Sequence, residues 1–281
     1  MRLLLLIAFS SLFFVGCTAL TINEEDVFYP KPSVTPETFD LEGVTLNSTF
    51  VPVADTVSVN AWALSTSEAR GTVLFFGGNG FYLVQSRSYL RALTRPSVDA
   101  VLWDYRGYGR SEGTPGVEVF RQDALAMYDH VVEERDVDPD RLLVWGHSLG
   151  SFLATHVADE RPVAGVVLEN PATTVDDWVG HLIPWYIRLF LGVDVDPALR
   201  DEDNLRRVRE IDEPLLVVGG AEDEVTDAAM ARQLHEAAPA DHKDLVIVED
   251  GTHNGLHERD TVQAAYERLL HRALRDAGTD E

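Results

Sequence analysis

The stretch from Arg141 to Leu153, R-L-L-V-W-G-H-S-L-G-S-F-L, constrains the fold of this chain more than any other. The apolar run Leu142 to Trp145 reads as a buried strand. Gly146-His147-Ser148-Leu149-Gly150 follows without a gap, and a small-residue, helix-compatible run continues through Ala154. A strand that turns this abruptly into a helix has no room for side chains two places before and two places after the serine. Gly146 and Gly150 meet that demand. Ser148 is then forced out at the top of a sheet, at the N-terminus of a helix whose amides favour negative charge. A G-x-S-x-G pattern alone recurs by chance. Its position at a strand-to-helix junction gives it weight.

The strands on either side fix the fold class. Thr72 to Phe76, Val98 to Trp103, Val163 to Leu168, Pro214 to Val218 and Asp244 to Val248 are short apolar runs that alternate with helical patterns such as Val117 to Glu134 and Val262 to Leu274. That rhythm predicts an α/β fold with a doubly wound, mostly parallel sheet. Val44 to Val53 and Val57 to Leu64 alternate apolar with polar side chains, as an antiparallel pair at a sheet edge does. Ala172 to Asp212 breaks the rhythm with an aromatic knot and a charged helix expected from Asp201 to Glu210. An insertion there hangs over the serine, so 172–212 is expected to be a small cap with Trp178, Trp185 and Tyr186 walling a pocket. The same aromatics could simply glue the insertion to the domain, or dip into a membrane.

With 281 residues the chain can bury one large core, and no second domain boundary is visible. The formal net charge of -24 and the presence of only two lysines, Lys31 and Lys243, exclude phosphate-backbone binding as a function. The start of the chain reads as an address rather than structure. Met1-Arg2 precedes an apolar run, Leu3 to Val15, too short for the roughly 20 residues of a spanning helix. It ends in Phe14-Val15-Gly16-Cys17, which resembles a bacterial lipobox, and Cys17 is the sole cysteine. The expected organisation is a lipoprotein signal peptide at 1–16, a proline-rich tether at 17–40 and the domain at 41–281. Cys17 would be the lipidated residue, anchoring the protein in the bacterial cell envelope, outside the cytoplasm. No thiol then remains for a disulfide or a metal cluster.

Two loops downstream of the serine supply partners. Gly219-Gly220-Ala221-Glu222-Asp223-Glu224-Val225 offers several acids, of which Asp223 is best placed to reach inward. Glu249 to Gly255 carries His253 at the carboxyl end of the last strand, and His257 is its one serious rival. A serine hydroxyl is a weak nucleophile that needs a base in hydrogen-bond reach, and the base needs a fixed tautomer. Ser148, His253 and Asp223 fill these roles, in the chain order serine, acid, histidine. Gly77-Gly78-Asn79-Gly80 ends the first core strand and lets a backbone amide approach a developing oxyanion. Asn79, or its neighbour Gly80, is one expected donor and Leu149 the other. Asp104 and Arg106 are expected to form an ion pair stiffening the next loop. The constellation calls for no metal and no cofactor.

From about Val44 onward the chain resembles the α/β-hydrolase superfamily. The resemblance is carried by G-N-G at Gly78, D-Y-R-G-Y-G at Asp104, G-H-S-L-G at Gly146, G-x-x-D-x-V at Gly220 and G-x-H-N at Gly251. It implies a small-capped, membrane-associated serine hydrolase acting on an ester or acyl substrate through an acyl-enzyme. A serine peptidase of the same fold, or a binding lipoprotein without catalysis, are the competing readings. Gly77 stands where that family usually has a histidine.

Overall fold

The apolar runs become strands because each is long enough to cross a sheet and branched enough to favour one. The computed structural model describes residues 19–28, 30, 41–183, 187 and 192–274. In chain order it holds β1 (Ala19–Ile22), α1 (Glu24–Val27), β2 (Val44–Ala54), β3 (Val57–Thr66), β4 (Thr72–Phe76), α2 (Arg87–Thr94), β5 (Asp99–Trp103) and α3 (Val117–Asp129). These are followed by β6 (Leu142–His147), α4 (Gly150–Glu160), β7 (Gly165–Glu169), α5 (Val175–Leu182), β8 (Gly192–Val195), α6 (Pro197–Arg200) and α7 (Asn204–Arg207). The last four are β9 (Leu215–Gly220), α8 (Ala228–Ala237), β10 (Lys243–Val248) and α9 (Asp260–Ala273).

Eight strands form one sheet in the order β10-β9-β7-β6-β4-β5-β3-β2. Its centre is parallel, and β3 runs antiparallel to both β2 and β5 at one edge. Side chains alternate across it. Leu74, Phe76, Val144 and Leu168 bury one face under α3, α4 and α8, whereas Val73, Phe75, Trp145 and Val167 bury the other under α2 and α9. Both faces are covered, which is why the central strands are apolar throughout. The 172–212 segment enters between β7 and β9, above the carboxyl ends of the strands, where open α/β sheets keep their crevices. Among the described residues no helix is long and apolar enough to cross a membrane.

Three expectations need correction. Residues 19–28 are not an extended tether. β1 pairs in parallel with β8, and Val27 and Phe28 are buried against the domain. The charged helix at 201–210 starts late, at Asn204. Asp203 caps it by accepting from the Arg206 amide at 2.8 Å, and the preceding Glu202 is buried between Arg121 and Arg207. Asp104 and Arg106 do not pair with each other. Arg106 bonds Asp123 on α3, while Asp104 accepts from the amides of Leu83 at 2.8 Å and Arg110 at 3.3 Å. Burial raises the Asp104 carboxyl to about 6. Cys17, Trp185, Tyr186 and 29 and 31–40 of the expected tether lie outside the described residues.

Candidate active site

Ser148 sits at the β6–α4 turn with φ at 52°, in the left-handed region that a side chain adopts only where its surroundings enforce it. Here they do. A Cβ at Gly146 would lie 2.3 Å from the Gly150 carbonyl oxygen, and one at Gly150 would lie 2.1 Å from the Phe76 carbonyl oxygen. Both obstacles are backbone, so neither can swing away. The Ser148 amide donates to the Glu169 carbonyl at 2.9 Å, and Ser151 Oγ donates to the Ser148 carbonyl at 2.6 Å. The turn is thus bonded from both sides.

The loops after β9 and β10 bring their side chains to this serine. His253 Nε2 stands 3.0 Å from Ser148 Oγ, and His253 Nδ1 stands 2.8 Å from Asp223 Oδ2. Asp223 Oδ1 accepts from the amides of Val225 at 2.8 Å and Thr226 at 3.0 Å, and the Thr226 hydroxyl donates to Oδ2 at 2.9 Å. Burial pushes the Asp223 carboxyl up, but the bonds from His253 and the Thr226 amide outweigh it and hold the group below the usual carboxylate range. An ionised Asp223 fixes the proton on Nδ1 and leaves Nε2 free to accept from the hydroxyl. The arrangement can therefore deprotonate Ser148 as it attacks, and return the proton to a leaving group.

His257 is not drawn into this set. Its Nδ1 lies 3.0 Å from Glu169 Oε1, both residues are buried, and its ring stacks on Tyr89 at 3.7 Å. Burial raises the Glu169 carboxyl, yet the His257 charge and hydrogen bond outweigh it, and the net direction is down. Glu169 also accepts from Trp145 Nε1 at 3.2 Å and from the His257 amide at 3.0 Å, tying β6, β7 and the histidine loop together.

Asn170 is the positioning group that the sequence concealed. It has φ at 46° and is buried. Its Oδ1 accepts from the Gly220 amide at 3.0 Å, and its Nδ2 donates to the His253 carbonyl at 2.8 Å. One side chain therefore joins the acid loop to the histidine loop. His147 Nε2 makes a second contact with the His253 carbonyl, at 3.0 Å. The only trace in the sequence is Glu169-Asn170-Pro171 at a strand end, which reads equally as an ordinary exit turn.

The glycine loop after β4 passes directly over the serine. A Cβ at Gly78 would lie 2.7 Å from His147 Nδ1 and 3.4 Å from Ser148 Cβ, so the Gly78–Asn79 peptide is beside the nucleophilic position. The Asn79 side chain is held by Tyr108, whose hydroxyl donates to its Oδ1 at 2.7 Å, and by the Val27 carbonyl. Leu149 stands at the N-terminus of α4, where amides have no intrahelical acceptor. Gly77, with no side chain of its own, is covered by the Phe81 ring, and its carbonyl accepts from Tyr105 Oη at 2.6 Å.

Ser148 and His253 open into a cavity of about 740 Å³. Phe120, Phe152, Leu153, Val175, Trp178 and Leu199 are among its apolar lining, and Asn79 and Leu149 line it as well. The 172–212 segment thus contributes to the cavity through Val175, Trp178 and Leu199.

This sheet, with a serine on the turn after its central strand and a crevice at the strands' carboxyl ends, defines the protein as an α/β hydrolase. The family model described as Hydrolase_4, serine aminopeptidase S33, matches residues 67–196 and 198–260, and the chain belongs to that family. It is similar to the alpha/beta hydrolase domain-containing protein WAV2 of Arabidopsis thaliana, 29% identical over 209 residues, covering 70% of this chain and 68% of that protein. An uncharacterized protein of Mycobacterium tuberculosis is 31% identical over 206 residues, covering 73% of this chain and 71% of the relative. Among solved structures, the esterase Pf2001 of Pyrococcus furiosus superposes with a TM-score of 0.68 at 16% identity, covering 86% of this chain and 99% of the other, a likeness of fold.

Proposed function

We propose that the protein is a serine hydrolase that cleaves carboxylic esters or thioesters of acyl, lipid-like substrates. The observation that carries this reading is the unbroken chain from Ser148 Oγ to His253 to Asp223, at 3.0 Å and 2.8 Å, opening on an apolar cavity. Ser148 Oγ attacks the carbonyl carbon while His253 Nε2 takes its proton. The tetrahedral oxyanion is met by the amides of Asn79 and Leu149. Collapse breaks the bond to the leaving alcohol or thiol, which departs with the proton from His253. A water then attacks the acyl-enzyme, giving one proton to His253, and the acid leaves as Ser148 recovers its hydrogen. Asp223 stays ionised throughout and stabilises the imidazolium.

The lipobox-like Phe14-Val15-Gly16-Cys17 supports a lipid anchor at Cys17 and a place in the bacterial envelope, with the domain outside the cytoplasm. The family's description as a serine aminopeptidase makes amide cleavage the second reading, since the same triad performs it. The test is hydrolysis of p-nitrophenyl esters and of aminoacyl p-nitroanilides by wild type and Ser148→Ala. Ester turnover is expected to exceed amide turnover, and Ser148→Ala to lower kcat by on the order of 10⁴ to 10⁶. Full ester turnover in Ser148→Ala would overturn the assignment, and preferential anilide turnover would favour the peptidase.

A further inference from the structure

Residues 19–28 take no part in the chemistry above, yet they are bonded into the site. Glu24 Oε1 accepts from the Val117 amide at 3.0 Å, at the start of α3, and the Val27 carbonyl accepts from Asn79 Nδ2. Val27 and Phe28 are 7% and 6% exposed, and both stand in the cavity wall. The Phe28 ring meets that of Phe120 edge-on, with centroids 4.9 Å apart. Phe28 also lines a second hollow of about 450 Å³, together with Asn23, Glu24, Glu25, Pro30 and Pro115 among others. Among the described residues, Phe28 alone stands in the walls of both.

We propose that Phe28 is a specificity-determining stop for the acyl chain. Its ring separates the apolar cavity from the polar hollow and so sets the longest chain that the site takes up without wetting its end. This role holds for a cavity that receives an acyl chain, as proposed above. The physical basis is simple. A methylene that finds apolar wall is worth about fourfold in binding, and one that meets a rigid ring is worth nothing or less. A bulkier ring at position 28 shortens the usable cavity, and a smaller side chain vacates space beside Val27 and Phe120 for about one or two more methylenes before the polar hollow is reached.

The test uses two readouts on the same variants. One is kcat/KM for p-nitrophenyl esters from acetyl to palmitoyl in the wild type, Phe28→Ala, Phe28→Leu and Phe28→Trp. The other is the affinity of the matching free fatty acids, measured with Ser148→Ala added to each. Phe28→Ala and Phe28→Leu are expected to move both profiles toward longer chains, raising the long-to-short ratio by about tenfold, and Phe28→Trp to lower it. Phe28→Leu keeps most of the buried volume and serves if Phe28→Ala does not fold. Ester turnover with a length profile that no folded variant moves would overturn the stop and leave the hydrolase reading intact. Fatty-acid binding whose length preference follows residue 28, without any ester turnover, would uphold the stop and overturn the esterase.

Discussion

Asn170 shows how one residue in an unusual backbone conformation governs two loops. Its positive φ turns the chain at the end of β7 so that the amide side chain faces across the sheet, and both ends of that amide are used. Asparagine suits this place because it tolerates the left-handed region and offers a donor and an acceptor together. Asn170→Asp keeps the turn and the acceptor for the Gly220 amide but removes the donor to the His253 carbonyl. With the His253 carbonyl left to His147 and faced by a carboxylate, the histidine loop is expected to shift relative to Ser148, and kcat on a short p-nitrophenyl ester to fall about 10²-fold while KM changes little. Steady-state kinetics over a range of ester concentrations separates the two constants. A change in KM alone would show that Asn170 shapes the pocket and not the position of His253. None of this is legible in the sequence, because the partners lie 50 and 83 positions away and no local pattern encodes them.

The elbow is the element on which the site depends, and it was legible for the same reason that it is rigid. A turn this tight excludes side chains at fixed offsets from the serine, and that exclusion is written as two glycines. Gly150→Ala is expected to cost about 3 kcal/mol or more in urea unfolding, because its methyl would meet the Phe76 carbonyl and no flexible group can yield. A variant as stable as the wild type would show that the turn has slack that these distances deny. The central strands were equally readable, since burial on both faces makes them continuous apolar runs. What escaped were elements defined by distant partners. β1 is four residues long and exists by pairing with β8, so nothing in its own composition separates it from an extended tether. The helix expected from Asp201 starts only at Asn204 because Asp203 is extended, bridging to Thr174 and capping the helix with its carboxylate. Asp223 and His253, each read from its place a loop beyond a strand end, are brought to Ser148 by the order of the strands.

At the scale of the whole molecule, buried charge couples the site to stability. Glu169 is fully buried and bonds to both Trp145 and His257, with its carboxyl held below the ordinary value of about 4.3. A depressed acid stabilises the fold in full above its unfolded value, and that contribution is lost as pH falls through the folded one. Glu169→Gln is therefore expected to be about 2–4 kcal/mol less stable at neutral pH, with the gap closing as pH drops below about 4. Urea unfolding across pH measures both curves, and parallel curves would contradict an ionised Glu169. The catalytic claim itself is tested most directly by covalent capture. The wild-type protein is treated with an alkyl fluorophosphonate, digested, and its adduct located by mass spectrometry. The account predicts one phosphonylated peptide, modified at Ser148, and its disappearance in His253→Ala. An adduct on another residue, or a protein that stays unmodified while correctly folded, would contradict it.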